Sequence, residues 1–136
     1  MKRRILLAVL WVCGGVAIAH ADDKPNCEDP QDQSTMTLCA GLDYDKADKE
    51  LNKLWPSIKS AAEENDKGAS AEEGGYLKAL MASQKAWIAF RDAECTWEGF
   101  VSHGGTMEPM LVNGCLARLT QERIKQLKDG QEGLGN

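Results

Sequence analysis

The sequence predicts a small all-α protein, a disulfide-braced bundle of three main helices. Apolar residues recur at helical spacing in three long segments, and no segment shows the alternation typical of a strand. Four cysteines follow a cleavable leader, and this even number favours two disulfides in an exported protein. The first two helices are expected to form an antiparallel hairpin, with a C-terminal helix packed beside it.

The first 21 residues are typical of a signal peptide. Basic residues 2–4 precede an apolar run from Ile5 to Ile18, and Ala19-His20-Ala21 fits a signal-peptidase site. Cleavage there leaves residues 22–136 as one helical domain, periplasmic or secreted. The apolar run is too short to span a membrane comfortably, so we expect no membrane anchor after cleavage.

The mature chain is acidic. Cleavage removes three of the 16 basic residues, which leaves 13 against 21 acidic side chains and a net charge of −8. A chain with this charge repels nucleic acid and anionic membrane surfaces, and it attracts cationic proteins. Nucleic acid is therefore not an expected partner.

Asp32 is a suitable N-cap for the first helix, whose apolar positions recur from Met36 to Ala62. Pro56 lies within this pattern and removes a backbone hydrogen bond to residue 52. The sequence therefore predicts a kink near residues 52–56, or two abutting helices. A polar loop is expected over residues 63–75.

Ser70 and Glu73 fit a capping box, so the second helix is expected to start between Ala71 and Tyr76 and to run to about Phe100. The third helix is expected to begin near Pro109, because proline suits a first helical turn. Gly130 is a natural residue to end it, with a frayed tail over residues 131–136.

The second helix carries two polar residues on its apolar face, Gln84 and Arg91. A buried guanidinium needs a partner, and matching helical rise across the hairpin pairs residues whose numbers add to about 139, which places Asp48 opposite Arg91. Arg123 lies on the inner face of the third helix. We interpret these four residues as a buried structural network rather than as a binding cleft.

Cys27, Cys39, Cys95 and Cys115 are expected to cluster at the end of the bundle that carries the loop Ser102–Thr106. We favour Cys39–Cys95 across the hairpin with Cys27–Cys115. The local pairing, Cys27–Cys39 with Cys95–Cys115, stays open, because four cysteines allow three pairings. Their spacing does not match a metal site, and neither a metal nor a cofactor is expected.

Several motifs together resemble the LprI-type lysozyme-inhibitor family over about residues 27–128. They are Cys39, Ala47-Asp48-x-x-Leu51-Asn52, Gln84-x-x-Trp87-x-x-x-Arg91-x-x-x-Cys95, Gly104-Gly105-Thr106, Cys115 and Thr120-x-x-Arg123. The resemblance implies a helical, disulfide-bonded envelope protein that inhibits lysozyme. Pro56 departs from the family pattern, which usually continues a helix at that position.

The candidate partner-binding loop consists of Ser102, His103, Gly104, Gly105 and Thr106. Ser102 beside His103 supplies no nucleophile–base geometry, so we do not expect an enzyme. We expect the loop, with Glu98 and Glu108 near it, to bind a basic lysozyme or another cationic protein. The alternative is a non-enzymatic envelope module that binds another periplasmic protein, a peptide or a glycan.

Overall fold

Three helices make up the fold, and the computed structural model describes them over residues 24–134. Helix α1 spans Gln33–Gly68, α2 spans Tyr76–Gly99 and α3 spans Glu108–Leu134, with a short 3-10 helix, Phe100–Ser102, after α2. The predicted signal peptide, residues 1–21, lies outside the described residues. Within residues 24–134, no helix is long and apolar enough to cross a membrane.

Helices α1 and α3 run parallel and form the main packing interface, while α2 runs antiparallel to both. Gln33 donates a hydrogen bond to the sulfur of Met110, and Lys128 pairs with Glu50 at 3.2 Å, so both helices advance in the same direction. The hairpin of α1 and α2 is present as predicted. Its two helices share less contact than either shares with α3.

Helix α1 begins as the sequence predicts, because the Asp32 carboxylate accepts hydrogen bonds from the backbone N–H and hydroxyl of Thr35 at 2.8 and 2.7 Å. Of the two outcomes expected near residues 52–56, two abutting helices are absent, because α1 continues through Pro56 to Gly68 as one helix. Pro56 and Asn52 both face solvent, so water can reach the carbonyl that the proline leaves without its helical partner.

The start of α2 is fixed by a carboxylate from α1. Both Asp66 oxygens accept backbone N–H groups, from Gly75 at 2.6 Å, Tyr76 at 2.8 Å and Leu77 at 3.0 Å. The expected capping box does not cap α2, because Ser70 and Glu73 lie in a turn that ends before Gly75. At the other end of the chain Gly130 does not stop α3, since one glycine costs a helix only about 1 kcal/mol.

The core consists of two groups of buried residues. One group lies in the middle of the bundle, where partly buried Leu54, Trp55, Leu80 and Trp87 surround Leu51, Ile58, Ile124 and Leu127. The other lies where α2 meets α3 and contains Cys95, Cys115 and Leu119, with Val112 and Leu116 against them. This second group supports the end of the bundle that carries the candidate loop.

Candidate functional site

Two disulfides lie at the end of the bundle where the chain passes from α2 to α3. We call this end the braced end. Cys95–Cys115 joins α2 to α3 with its Cα atoms 5.3 Å apart, and Cys27–Cys39 joins the leading segment to α1 at 5.5 Å. Cys39 and Cys115 border one shallow groove between α1 and α3. The four cysteines therefore cluster at one end, as the sequence predicts.

The favoured pairing of Cys39 with Cys95 and Cys27 with Cys115 is wrong, and the local pairing is the one present. Rise-matching places Cys39 and Cys95 at the same level of the hairpin but says nothing about which way each side chain faces. Because α1 packs mainly against α3, Cys39 faces the leading segment and α3 rather than α2.

The candidate loop, residues 102–106, is held in one conformation by Glu108. The Glu108 carboxylate accepts the N–H of Gly104 at 2.6 Å and lies 3.1 Å from Nδ1 of His103. The N–H of Gly105 donates to the Ser102 carbonyl at 2.8 Å, and Gly104 has a φ of 74°, which favours glycine. The loop is therefore a defined turn on a rigid support.

These contacts also shift the ionisation of Glu108. The Gly104 N–H, followed by the hydrogen bond and charge of His103, holds the pKa of the Glu108 carboxyl below its usual range. Glu108 is thus engaged within the chain, whereas the sequence predicts that it helps the loop to bind a cationic partner.

An apolar patch adjoins the loop. It consists of Trp97, Phe100, Val101 and Leu111, of which Trp97 is 69 % exposed and Val101 86 % exposed. The rings of Phe100 and His103 lie 4.3 Å apart, so the patch and the loop form one continuous surface. Trp97 falls off the inner face of α2 in the sequence pattern. Phe100 and Val101 lie in the short 3-10 helix, which helical periodicity does not reveal.

The charged groups around the patch are mostly paired. Glu98 forms an ion pair with Arg118, which also lies 3.7 Å from Glu122. Asp43 lines the groove beside this pair and is exposed, as is Asp45 on the same helix. The braced end thus offers an apolar surface with acidic residues at its border.

The predicted polar residues meet in the middle of the bundle, in two groups. Arg123 donates from Nε to the Gln84 side chain at 3.0 Å, so α2 and α3 are joined there. Arg91 and Asp48 do approach across the hairpin, but only to 3.9 Å. The Trp87 ring touches both guanidiniums, at 5.0 Å from that of Arg91 and 5.7 Å from that of Arg123.

The charge of Arg91 is balanced mainly by its neighbour in the chain. The Asp92 carboxylate lies 2.8 Å from Nη2 and accepts Nε–H at 2.9 Å. Sequence reasoning missed this partner because adjacent residues on a helix point in different directions. The long Arg91 side chain nevertheless bends far enough to contact the Asp92 carboxylate.

His103 and the cysteines of the braced end are engaged in contacts within the chain. In the part of the chain that the structure describes, His103 contacts Glu108 and Phe100, and no hydrogen bond joins its ring to the Ser102 hydroxyl. All four described cysteines are in disulfides. What this end offers is a rigid surface of aromatic and aliphatic side chains, which is suited to binding another protein.

Comparison with known proteins identifies related sequences. The sequence model of the family described as "Lysozyme inhibitor LprI" matches residues 26–127. An uncharacterised protein of Rhizobium meliloti (strain 1021) is 41 % identical over 133 residues, which cover 96 % of this chain and 95 % of the relative. The uncharacterised protein YecT of Escherichia coli (strain K12) is 31 % identical over 73 residues, 53 % of this chain and 45 % of that protein. No solved structure matches.

Proposed function

The chain belongs to the LprI lysozyme-inhibitor family, and on that premise we propose that it is an exported, non-enzymatic inhibitor that binds a lysozyme stoichiometrically. The contact surface we propose is the braced end, formed by the apolar patch and the loop 102–106. The observation that carries this choice is the exposure of Trp97, Phe100 and Val101 beside a loop held by Glu108.

Exposed aromatic side chains on a rigid support are the usual anchors of protein interfaces. Large apolar groups supply most of the binding free energy when they enter a pocket on the partner. The disulfide Cys95–Cys115 and the Glu108 turn already order the segment, so little conformational entropy remains to be lost on binding. Gly104 and Gly105 carry no side chain and allow the backbone to approach a cleft closely.

Charge supports the same partner class. The mature chain's net charge of −8 attracts basic proteins, and lysozymes are commonly basic. Asp43 and Asp45 are exposed acids of α1, and Asp43 lies in the groove at the braced end. We therefore expect association to slow as salt rises, while the dissociation rate depends mainly on the apolar patch.

The test is a muramidase turbidity assay with the double variant Trp97→Ala, Val101→Ser. We expect inhibition by this variant to weaken at least about tenfold, because both anchors are removed from an exposed surface. The matched control is Phe90→Ala, which removes a 55 % exposed aromatic residue of the same helix outside the patch. Circular dichroism and Tm should stay near the wild-type values for both.

Full inhibition by the double variant, or equal loss in the Phe90 control, would reject the braced end as the contact surface. A wild-type protein that captures no lysozyme and leaves its activity intact would favour the alternative, an envelope module for another periplasmic protein, a peptide or a glycan. The pairing of Glu98 with Arg118 favours this alternative, because a paired carboxylate attracts a basic partner less strongly.

A further inference from the structure

A cleft extends from the middle of the bundle towards the end away from the disulfides. Its volume is about 340 Å³, within the usual range for small-molecule sites. All three helices contribute apolar side chains to its wall, among them Ile58 and Ala62 of α1, Leu80 of α2 and Leu127 of α3. Tyr76, in the first turn of α2, lies at its border.

One charged residue lines this cleft, Arg123. Its guanidinium donates to three neutral oxygens: Gln84 at 3.0 Å, Ser83 at 2.9 Å and Gln126 at 3.3 Å. Among the described residues it forms no ion pair. The other two described arginines do, Arg91 with Asp92 and Arg118 with Glu98.

A cation without a counter-ion is unexpected in a chain with 21 acidic residues. Partial burial lowers the pKa of Arg123. A guanidinium has five N–H donors, and only three are used here. Two donors remain beside an apolar wall, an arrangement that fits a carboxylate bearing an apolar group.

We propose that this cleft binds a small amphiphilic carboxylate, with its carboxylate on Arg123 and its short apolar tail between α1, α2 and α3. The site is separate from the braced end, so this inference goes beyond the proposed inhibition and does not rest on it. The apolar tail packs against the aliphatic side chains of the cleft. The carboxylate forms the ion pair that Arg123 lacks among the described residues.

Calorimetric titration of the mature protein with sodium octanoate tests the proposal. We expect saturable one-to-one binding, at least about tenfold tighter than that of octanamide, which has the same tail and no charge. A parallel titration with N-acetylphenylalanine distinguishes two sources of such a carboxylate, a simple aliphatic acid and an apolar amino acid. Failure of all three compounds to bind at millimolar concentration overturns the proposal.

Two variants locate the binding. Arg123→Gln should weaken octanoate binding at least about tenfold, while the matched control Arg118→Gln, which removes the same charge at the braced end, should leave it unchanged. Ala79→Leu keeps Arg123 and places added methyl groups on the cleft wall, so it should also weaken binding and keeps the test decisive if Arg123→Gln unfolds. Undiminished binding by both cleft variants, or an equal loss in Arg118→Gln, overturns the proposed site.

Discussion

Arg91 is the residue at which the three helices meet. Its guanidinium lies 5.5 Å from the Tyr44 ring of α1 and 5.0 Å from the Trp87 ring of α2, and it donates to the Thr120 hydroxyl of α3 at 3.4 Å. Contact with the faces of aromatic rings suits a weakly hydrated guanidinium better than an ammonium. Arg91 is thus a packing element as well as a charge.

Arg91→Ala should lower the free energy of unfolding by about 2–3 kcal/mol, because it removes two ring contacts and a charged hydrogen bond. A larger loss is not expected, since Asp48 is 40 % exposed and water can solvate it once Arg91 is gone. Urea unfolding measures both this variant and its control Asp48→Asn, which should cost less than about 1 kcal/mol. Equal losses in the two would mean that the Asp48 pair, not the packing, dominates.

Gly99 is required by the approach of α2 to α3. A Cβ atom there would lie 2.5 Å from a methyl group of Val112, a short β-branched side chain that has little room to move. Gly99→Ala should therefore destabilise the protein by about 1–3 kcal/mol. Gly130→Ala is the matched control, because nothing lies near its added methyl group, and it should stabilise α3 by about 0.5–1 kcal/mol. Thermal unfolding with opposite signs for the two variants confirms the close approach.

At the scale of elements, sequence reasoning finds features that depend on one helix and misses those that depend on two. The Asp32 cap, the end of α2 near Phe100 and the start of α3 near Pro109 follow from local residues, and all three are present. The cap of α2 comes from Asp66, nine to eleven residues earlier, and no local pattern reveals it.

Asp66→Ala should make the first turn of α2 fray and lower Tm by several degrees, because three backbone N–H groups lose their acceptor together. Hydrogen exchange at Gly75, Tyr76 and Leu77 should become faster. Ser70→Ala is the control and should change neither measurement, since the Ser70 hydroxyl donates a hydrogen bond to Glu73 within the turn. Unchanged exchange in Asp66→Ala would show that α2 starts without this cap.

The same carboxylate makes stability depend on pH. The N–H groups of α2, first that of Leu77, hold the pKa of Asp66 below the ordinary value of 3.8. A lowered folded pKa means that the stabilisation is complete above that value and is lost as the pH falls below it. The wild-type Tm should therefore decrease as the pH is lowered below about 4. The decrease should be less steep in Asp66→Ala. Equal slopes would assign the acid dependence to other carboxylates.

At the scale of the whole molecule, the sequence predicts the number of helices, their order and the hairpin, but not which pair packs most closely. Helical periodicity marks an apolar face without naming the element that covers it. The matching of Asp48 with Arg91 is therefore approximately right, while α3 is the main partner of α1. Because periodicity does not tell which helices pack together, the predicted disulfide pairing is wrong. For the same reason, the cleft that three helices form at Arg123 could not be predicted.

The two disulfides differ in how they support the bundle. They close segments of similar length, with sequence separations of 12 and 20, so restriction of the unfolded chain gives each about 3 kcal/mol. The two disulfides differ in burial. Cys95 and Cys115 are 0 % and 3 % exposed within a core cluster, whereas Cys27 is exposed. Reductant should therefore reach Cys27–Cys39 first.

The unfolded mature protein should contain no free thiol, and peptide mapping should recover Cys27–Cys39 and Cys95–Cys115. Replacing Cys95 and Cys115 by alanine should lower Tm more than replacing Cys27 and Cys39, because it also leaves a void beside Leu119. If the braced end contacts lysozyme, the first replacement should also weaken inhibition, since the loop and the apolar patch lie between these two cysteines in the chain. The second should leave inhibition nearly intact. The reverse order of Tm values would contradict the assignment of the buried disulfide as the main support of that end.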